Sequence, residues 1–157
     1  MNNQGKILVI DDDPAIRDTL EALLSAEGYQ VEVAQTGKEA IAKTEETWFN
    51  LVLIDIRLPD LSGIELLTKL KDGTPKMRKI IVTGFPTLPN AVEALNKQAD
   101  AYLMKPVDVS QMLEIIKEQL ALQRGEITFS EAKIGEYIKT RARDFLDKQK
   151  NSDSRKP

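Results

Sequence analysis

The chain has no cysteine and no histidine in its 157 residues, and these two absences remove most familiar protein chemistry. Without thiols there can be no disulfide, no thiolate zinc site and no cysteine nucleophile. Without imidazole there is no Ser-His-Asp triad, no imidazole metal site, no internal phosphohistidine and no general base of the usual kind near neutral pH. Carboxylates, hydroxyls, lysine and a hard metal ion are what remain. Long hydrophobic runs are missing as well. The opening MNNQGKILVIDDD has four consecutive apolar residues before three acids, too few for a signal-peptide core, and no later run nears membrane-spanning length. A cytoplasmic protein with no membrane partner is expected.

Charge is unevenly spread. Residues 1–120 hold 13 Lys+Arg against 19 Asp+Glu, while residues 121–157 hold 9 against 6. Nucleic-acid binding relies on Lys and Arg to neutralise phosphates, so the acidic body argues against it and only the basic tail keeps it open. The length and 41% hydrophobic content suit one well-buried core with a short appendage.

Short Val- and Ile-rich runs recur at Ile7–Ile10, Val31–Val33, Leu51–Ile54, Ile80–Val82 and Ala101–Met104, with helical periodicity between them. That alternation predicts an α/β fold of five parallel strands covered by helices on both faces. Thr36 with Glu39, Ser62 with Glu65 and Asp108 with Gln111 have the spacing of helix caps. A first helix is expected from Pro14 to the Glu27-Gly28 stop, and a fourth, restricted by Pro86 and Pro89, over Pro89–Lys97. Residues 1–124 then form the main domain. Gly125 reads as a helix stop, and Thr128 with Glu131 as a new capping box opening an amphipathic helix over 125–150, with Ile134, Ile138, Ala142 and Phe145 on one face. The polar residues 151–157 are expected to be disordered.

In an open parallel sheet, ligands bind beyond the carboxyl ends of the strands. Here those ends carry Asp11-Asp12-Asp13, Asp55, Thr83 and Lys105-Pro106. Three carboxylates about 4 Å apart would repel by roughly 4 kcal/mol per pair at an effective dielectric of about 20. Positive charge must therefore join them, from Lys105 and from a divalent ion that favours oxygen ligands, Mg²⁺ above all. So arranged, a carboxylate becomes a nucleophile toward a phosphoryl group, giving an aspartyl phosphate. An Asp at a strand end is often only a turn former or cap, and Asp13 before Pro14 fits that description.

The segments ILVIDDD at 7–13, LVLIDIRLPDLSGIELL at 51–67, IIVTG at 80–84 and AYLMKPVD at 101–108 together resemble the receiver domain of response regulators in two-component signalling. The resemblance covers residues 5–122. It implies a flavodoxin-like, doubly wound sheet in the order 2-1-3-4-5. It also implies Asp55 as phosphoacceptor; Asp11, Asp12, Asp55 and the backbone carbonyl of Arg57 as Mg²⁺ ligands; and Thr83 and Lys105 on the phosphoryl oxygens. Pro106 matches the proline after a cis peptide bond. Tyr102 matches the aromatic that turns inward as the threonine moves, so that phosphorylation switches the face formed by the fourth helix, fifth strand and fifth helix. Arg57 and Phe85 match positions that tune the lifetime of the phosphoryl group, and since neither offers an acid or amide to orient water, slow self-dephosphorylation is expected. The donor would be a histidine kinase, a phosphotransfer protein or a small molecule. A homodimer through the switching face or the C-terminal helix is a further expectation.

Two other readings compete with this one. A haloacid-dehalogenase-type phosphohydrolase would use Asp11 as nucleophile and Asp13 as acid, but the chain lacks a cap insertion and a later acidic pair, and it would leave Asp55 unexplained. A passive interaction module would keep the fold without the pocket. The sequence is also compatible with a piece of a longer regulator.

Overall fold

A computed structural model describes residues 4–153. Five strands, β1 (Lys6–Ile10), β2 (Gln30–Ala34), β3 (Leu51–Asp55), β4 (Arg78–Thr83) and β5 (Ala101–Met104), pair in parallel in the order β2-β1-β3-β4-β5. The apolar runs are continuous, not alternating, because both faces of the sheet are covered. Successive side chains point to opposite faces. Leu8, Ile10, Val52, Ile54 and Ile81 accordingly join one core layer, while Ile7, Val9, Leu51, Leu53, Ile80 and Val82 join the other. The first layer packs under α2 (Gly37–Glu46), α3 (Gly63–Leu66) and α4 (Leu88–Asn96). The second packs under α1 (Pro14–Ala26) and the start of α5 (Val109–Asp153).

Local chemistry sets the element ends. The Asp13 carboxylate accepts from the Ala15 N–H at 2.9 Å to start α1, and Gly28, at φ 97°, ends it in a conformation that a side chain would strain. Thr36 accepts from the Glu39 N–H at 3.1 Å, and the Glu39 carboxylate reaches back to the Gln35 N–H. Asp108 accepts from Gln111 at 3.1 Å. Ser62 caps α3 through Ile64, one residue before the expected Glu65. Thr87 caps α4 through Asn90, which puts Pro89 inside the first turn, where its missing N–H costs nothing.

The C-terminal segment departs from expectation. The chain divides into two units, one ending at Gln123 and one beginning at Arg124, yet there is no helix stop at Gly125: α5 is assigned as one helix from Val109 to Asp153. Thr128 does not cap a new helix. Its hydroxyl donates to the Arg124 carbonyl at 3.1 Å, the back-bond of a residue inside a helix. Glycine costs a helix only about 1 kcal/mol relative to alanine, too little to end one among good helix formers. Residues 151–153, expected to be disordered, continue the helix, and 154–157 lie outside the described residues. No helix among the described residues is long and apolar enough to cross a membrane.

Candidate phosphoacceptor site

The expected residues converge at the carboxyl edge of the sheet. Asp11 follows β1, Asp55 closes β3, Thr83 closes β4, and Lys105 follows β5. Asp11 and Asp55 are buried, with 3% and 8% of their surfaces exposed, whereas Asp12 is exposed. The carboxylates of all three come within 4.8 Å of one another. Lys105 Nζ bridges the buried pair, at 2.8 Å from Asp11 Oδ2 and 3.3 Å from Asp55 Oδ2. The Lys105–Pro106 peptide is cis.

The electrostatics follow from this packing. Burial, reinforced by the negative charge of Asp11, pushes the Asp55 carboxyl above the ordinary carboxylate range; Lys105 and the Arg57 N–H act against that rise. Burial disfavours the charged form of Lys105, but hydrogen bonding and attraction from Asp11, then Asp55, outweigh it and hold the ammonium above its usual value. One lysine among three carboxylates leaves the cluster short of positive charge. Three hard oxygen donors at such separations suit a small divalent cation.

The Thr83 hydroxyl, fully buried, accepts from the Phe85 N–H at 3.1 Å, and the Thr83 carbonyl accepts from the Lys105 N–H at 2.8 Å. Arg57 turns its side chain outward, where the guanidinium lies 3.4 Å from the centroid of the half-exposed Phe85 ring. Its backbone N–H makes a long bond of 3.4 Å to Asp55 Oδ1. Tyr102 packs against the core layer under α2, α3 and α4, and its buried hydroxyl has no hydrogen-bond partner among the described residues. Asp13 is not in the cluster. Its carboxylate caps α1, while the carboxylates that cluster are those of Asp11, Asp12 and Asp55.

Three supporting residues have roles that no motif in the sequence assigns. A Cβ on Gly63 would stand 2.0 Å from the Asp55 carbonyl oxygen, so only glycine allows the chain to pass there. Asp60 accepts from the Gly37 and Lys38 N–H groups at 2.8 and 2.9 Å, which hold its carboxyl below the ordinary range and tie the loop after β3 to the start of α2. Arg17 donates to the Asp11 carbonyl at 2.8 Å. The turn-forming PDLSG was the only local sign of the first two.

Comparison with known proteins bears on the family and the fold. The family profile of the response regulator receiver domain matches residues 7–117. The chain is 40% identical over 121 residues to the transcriptional regulatory protein ZraR of Klebsiella oxytoca, covering 77% of this chain but 27% of that protein. It thus spans about a quarter of the length of such curated relatives. Among solved structures, a CheY-like response regulator receiver domain from Methanospirillum hungatei superposes with a TM-score of 0.74 at 51% identity, covering 77% of this chain and 97% of that one. A response regulator from Burkholderia pseudomallei, solved with a phosphorylated aspartic acid, a calcium ion and citrate, superposes with a TM-score of 0.68 at 30% identity, covering 80% and 74%. With the doubly wound sheet and the acidic edge in hand, the chain belongs to the response regulator receiver domain family, a family of signalling switches.

Proposed function

We propose that Asp55 accepts a phosphoryl group from outside the chain and that the modification biases the surface formed by α4, β5 and the start of α5. The observation that carries this reading is the position of Asp55: a buried carboxylate ending the central strand β3, with Lys105 Nζ at 3.3 Å and two further carboxylates beside it. The phosphorylated aspartic acid and calcium ion of the Burkholderia protein support it. In the step itself an Asp55 carboxylate oxygen forms the new bond to phosphorus. The P–N bond of a donor phosphohistidine breaks and its electron pair stays on the imidazole nitrogen. A histidine kinase or phosphotransfer protein fits as donor, as does a small acyl phosphate, since the chain has no histidine of its own.

Lys105 neutralises the phosphoryl oxygens, and the Thr83 hydroxyl, which accepts from Phe85, keeps its own proton for one of them. Asp11, Asp12 and Asp55, with the Arg57 carbonyl, would hold Mg²⁺, which supplies the remaining positive charge. Phosphorylation adds about −1.5 to −2 charge, and a shift of Thr83 toward it would draw Tyr102 further in. Arg57 stacked on Phe85 offers no group to orient a water, so the acyl phosphate decays slowly. Pairing with a second copy, through the α4–β5–α5 surface or the C-terminal helix, belongs to the same reading.

The test is incubation with Mg²⁺ and acetyl phosphate, followed by intact-mass measurement and peptide mapping. One phosphoryl group on Asp55, persisting far longer than in fast chemotaxis-type receivers, is the expected result. Turnover through Asp11, or no modification, would overturn the reading.

A further inference from the structure

The helix beyond Gln123 leaves a row of large apolar side chains in solvent: Ile134 is 59% exposed, Ile138 61% and Phe145 63%. These belong to a seam, Ile127, Glu131, Ile134, Ile138, Arg141 and Phe145, spaced alternately by four and three residues as the contact line of two paired helices is. Only two of the six positions are charged, and they carry opposite signs.

Laid antiparallel on a copy of itself about a two-fold axis near residue 136, this seam is self-complementary. Ile127 meets Phe145 of the other copy, Ile134 meets Ile138, and Glu131 meets Arg141, each contact occurring twice. A parallel, in-register pair would instead set Glu131 on Glu131 and Arg141 on Arg141. Residues 126–136 carry three acids and one base, and the stretch laid against them, 136–146, carries three bases and two acids, so antiparallel pairing sets a net negative stretch along a net positive one, Glu131 and Arg141 included. Gly135 adds an independent sign. It sits in mid-helix beside the two-fold axis, its φ is not in the left-handed region, and a Cβ there would meet nothing within 4 Å. Nothing among the described residues accounts for the stability glycine forfeits there; close approach of a second helix does. The flanking Arg124 and Lys148 are both basic, which limits the seam to 127–145.

We infer that two copies of this chain associate through an antiparallel pairing of the helix 127–145, with Glu131 and Arg141 fixing direction and register. In its present state Arg141 Nε donates to the Tyr137 hydroxyl at 3.0 Å, a contact that gives way to Glu131 of the second copy. The inference deepens the proposal of a homodimer and rests on it only for the existence of a second copy, not on phosphorylation.

Light scattering on the whole chain should give twice the monomer mass. Glu131→Arg and Arg141→Glu should each weaken the dimer on the order of tenfold or more, and the double exchange should restore it. Because the chain has no cysteine, Ile127→Cys and Phe145→Cys can be mixed under mild oxidation, and the disulfide expected is between the two variants. A monomer at every concentration, disulfides only between identical variants, or a dimer indifferent to both charge reversals would overturn the inference. Phosphorylation of Asp55, measured on the same variants, should stay at the wild-type level, so failure of the pairing and failure of the phosphoacceptor reading are seen separately.

Discussion

A Cβ on Gly63 would strike the Asp55 carbonyl oxygen at 2.0 Å, whereas on Gly125 or Gly135 it would meet nothing within 4 Å. The same residue type thus answers to different demands in the unit before Arg124 and in the helix after it. In the first, glycine is fixed by backbone passing backbone, and the neighbouring side chains are fixed with it. Within the second, no described atom beyond the helix's own backbone crowds Gly125 or Gly135. At Gly135 the proposed pairing of helices supplies a demand, from a second copy; at Gly125 none is needed.

The sharpest way to break this contrast is at the site. Asp55→Asn should abolish acyl phosphate formation altogether, read by intact mass after acetyl phosphate treatment, while the circular dichroism spectrum stays that of the wild type. Retained modification would move the acceptor elsewhere. Next in size, Gly63→Ala should destabilise the chain by about 1–3 kcal/mol, the usual range for overpacking, or more if the β3–α3 connection cannot shift. A urea midpoint equal to wild type would mean that the close approach is relieved at no cost.

A smaller effect concerns pH. The raised pKa of Asp55 means that the folded chain holds that proton more tightly than the unfolded chain, so its contribution to stability is full below the ordinary value of 3.8 and lost as pH rises through the folded value. In Mg²⁺-free buffer near neutrality, Asp55→Asn should therefore melt above the wild type, and the gap should close toward pH 3.8. A gap that widened on acidification would contradict the sign. Smallest of all, Gly125→Ala should strengthen the helix by no more than about 1 kcal/mol and leave Asp55 phosphorylation unchanged. A loss of stability there would show that the position is crowded after all.

The parts of this architecture that could be read in advance share a cause. Strand segments buried on both faces are apolar, so Leu51–Ile54 and Ile80–Val82 announce themselves as runs, and the polar residues that follow them, Asp55 and Thr83, mark the carboxyl edge of the sheet. What could not be read depends on partners distant in sequence or on small energy differences. Asp60 is 23 residues from Gly37, and Gly63 is needed because a carbonyl passes beside it. The helix through Gly125 was obscured by a local imitation of a stop and a start, Gly125 followed by Thr128 and Glu131, that neighbouring helix formers override.

Asp60 has a consequence for selectivity. The exposed N–H groups opening a helix are a natural seat for an oxyanion, and α2 opens beside the loop that follows Asp55. By placing its own carboxylate on Gly37 and Lys38, the chain fills that seat itself. A free anion would meet a carboxylate already seated there, whereas under the proposed function the phosphoryl group is received beside Lys105. The molecule thus carries its own anion for the opening of α2, covalently attached.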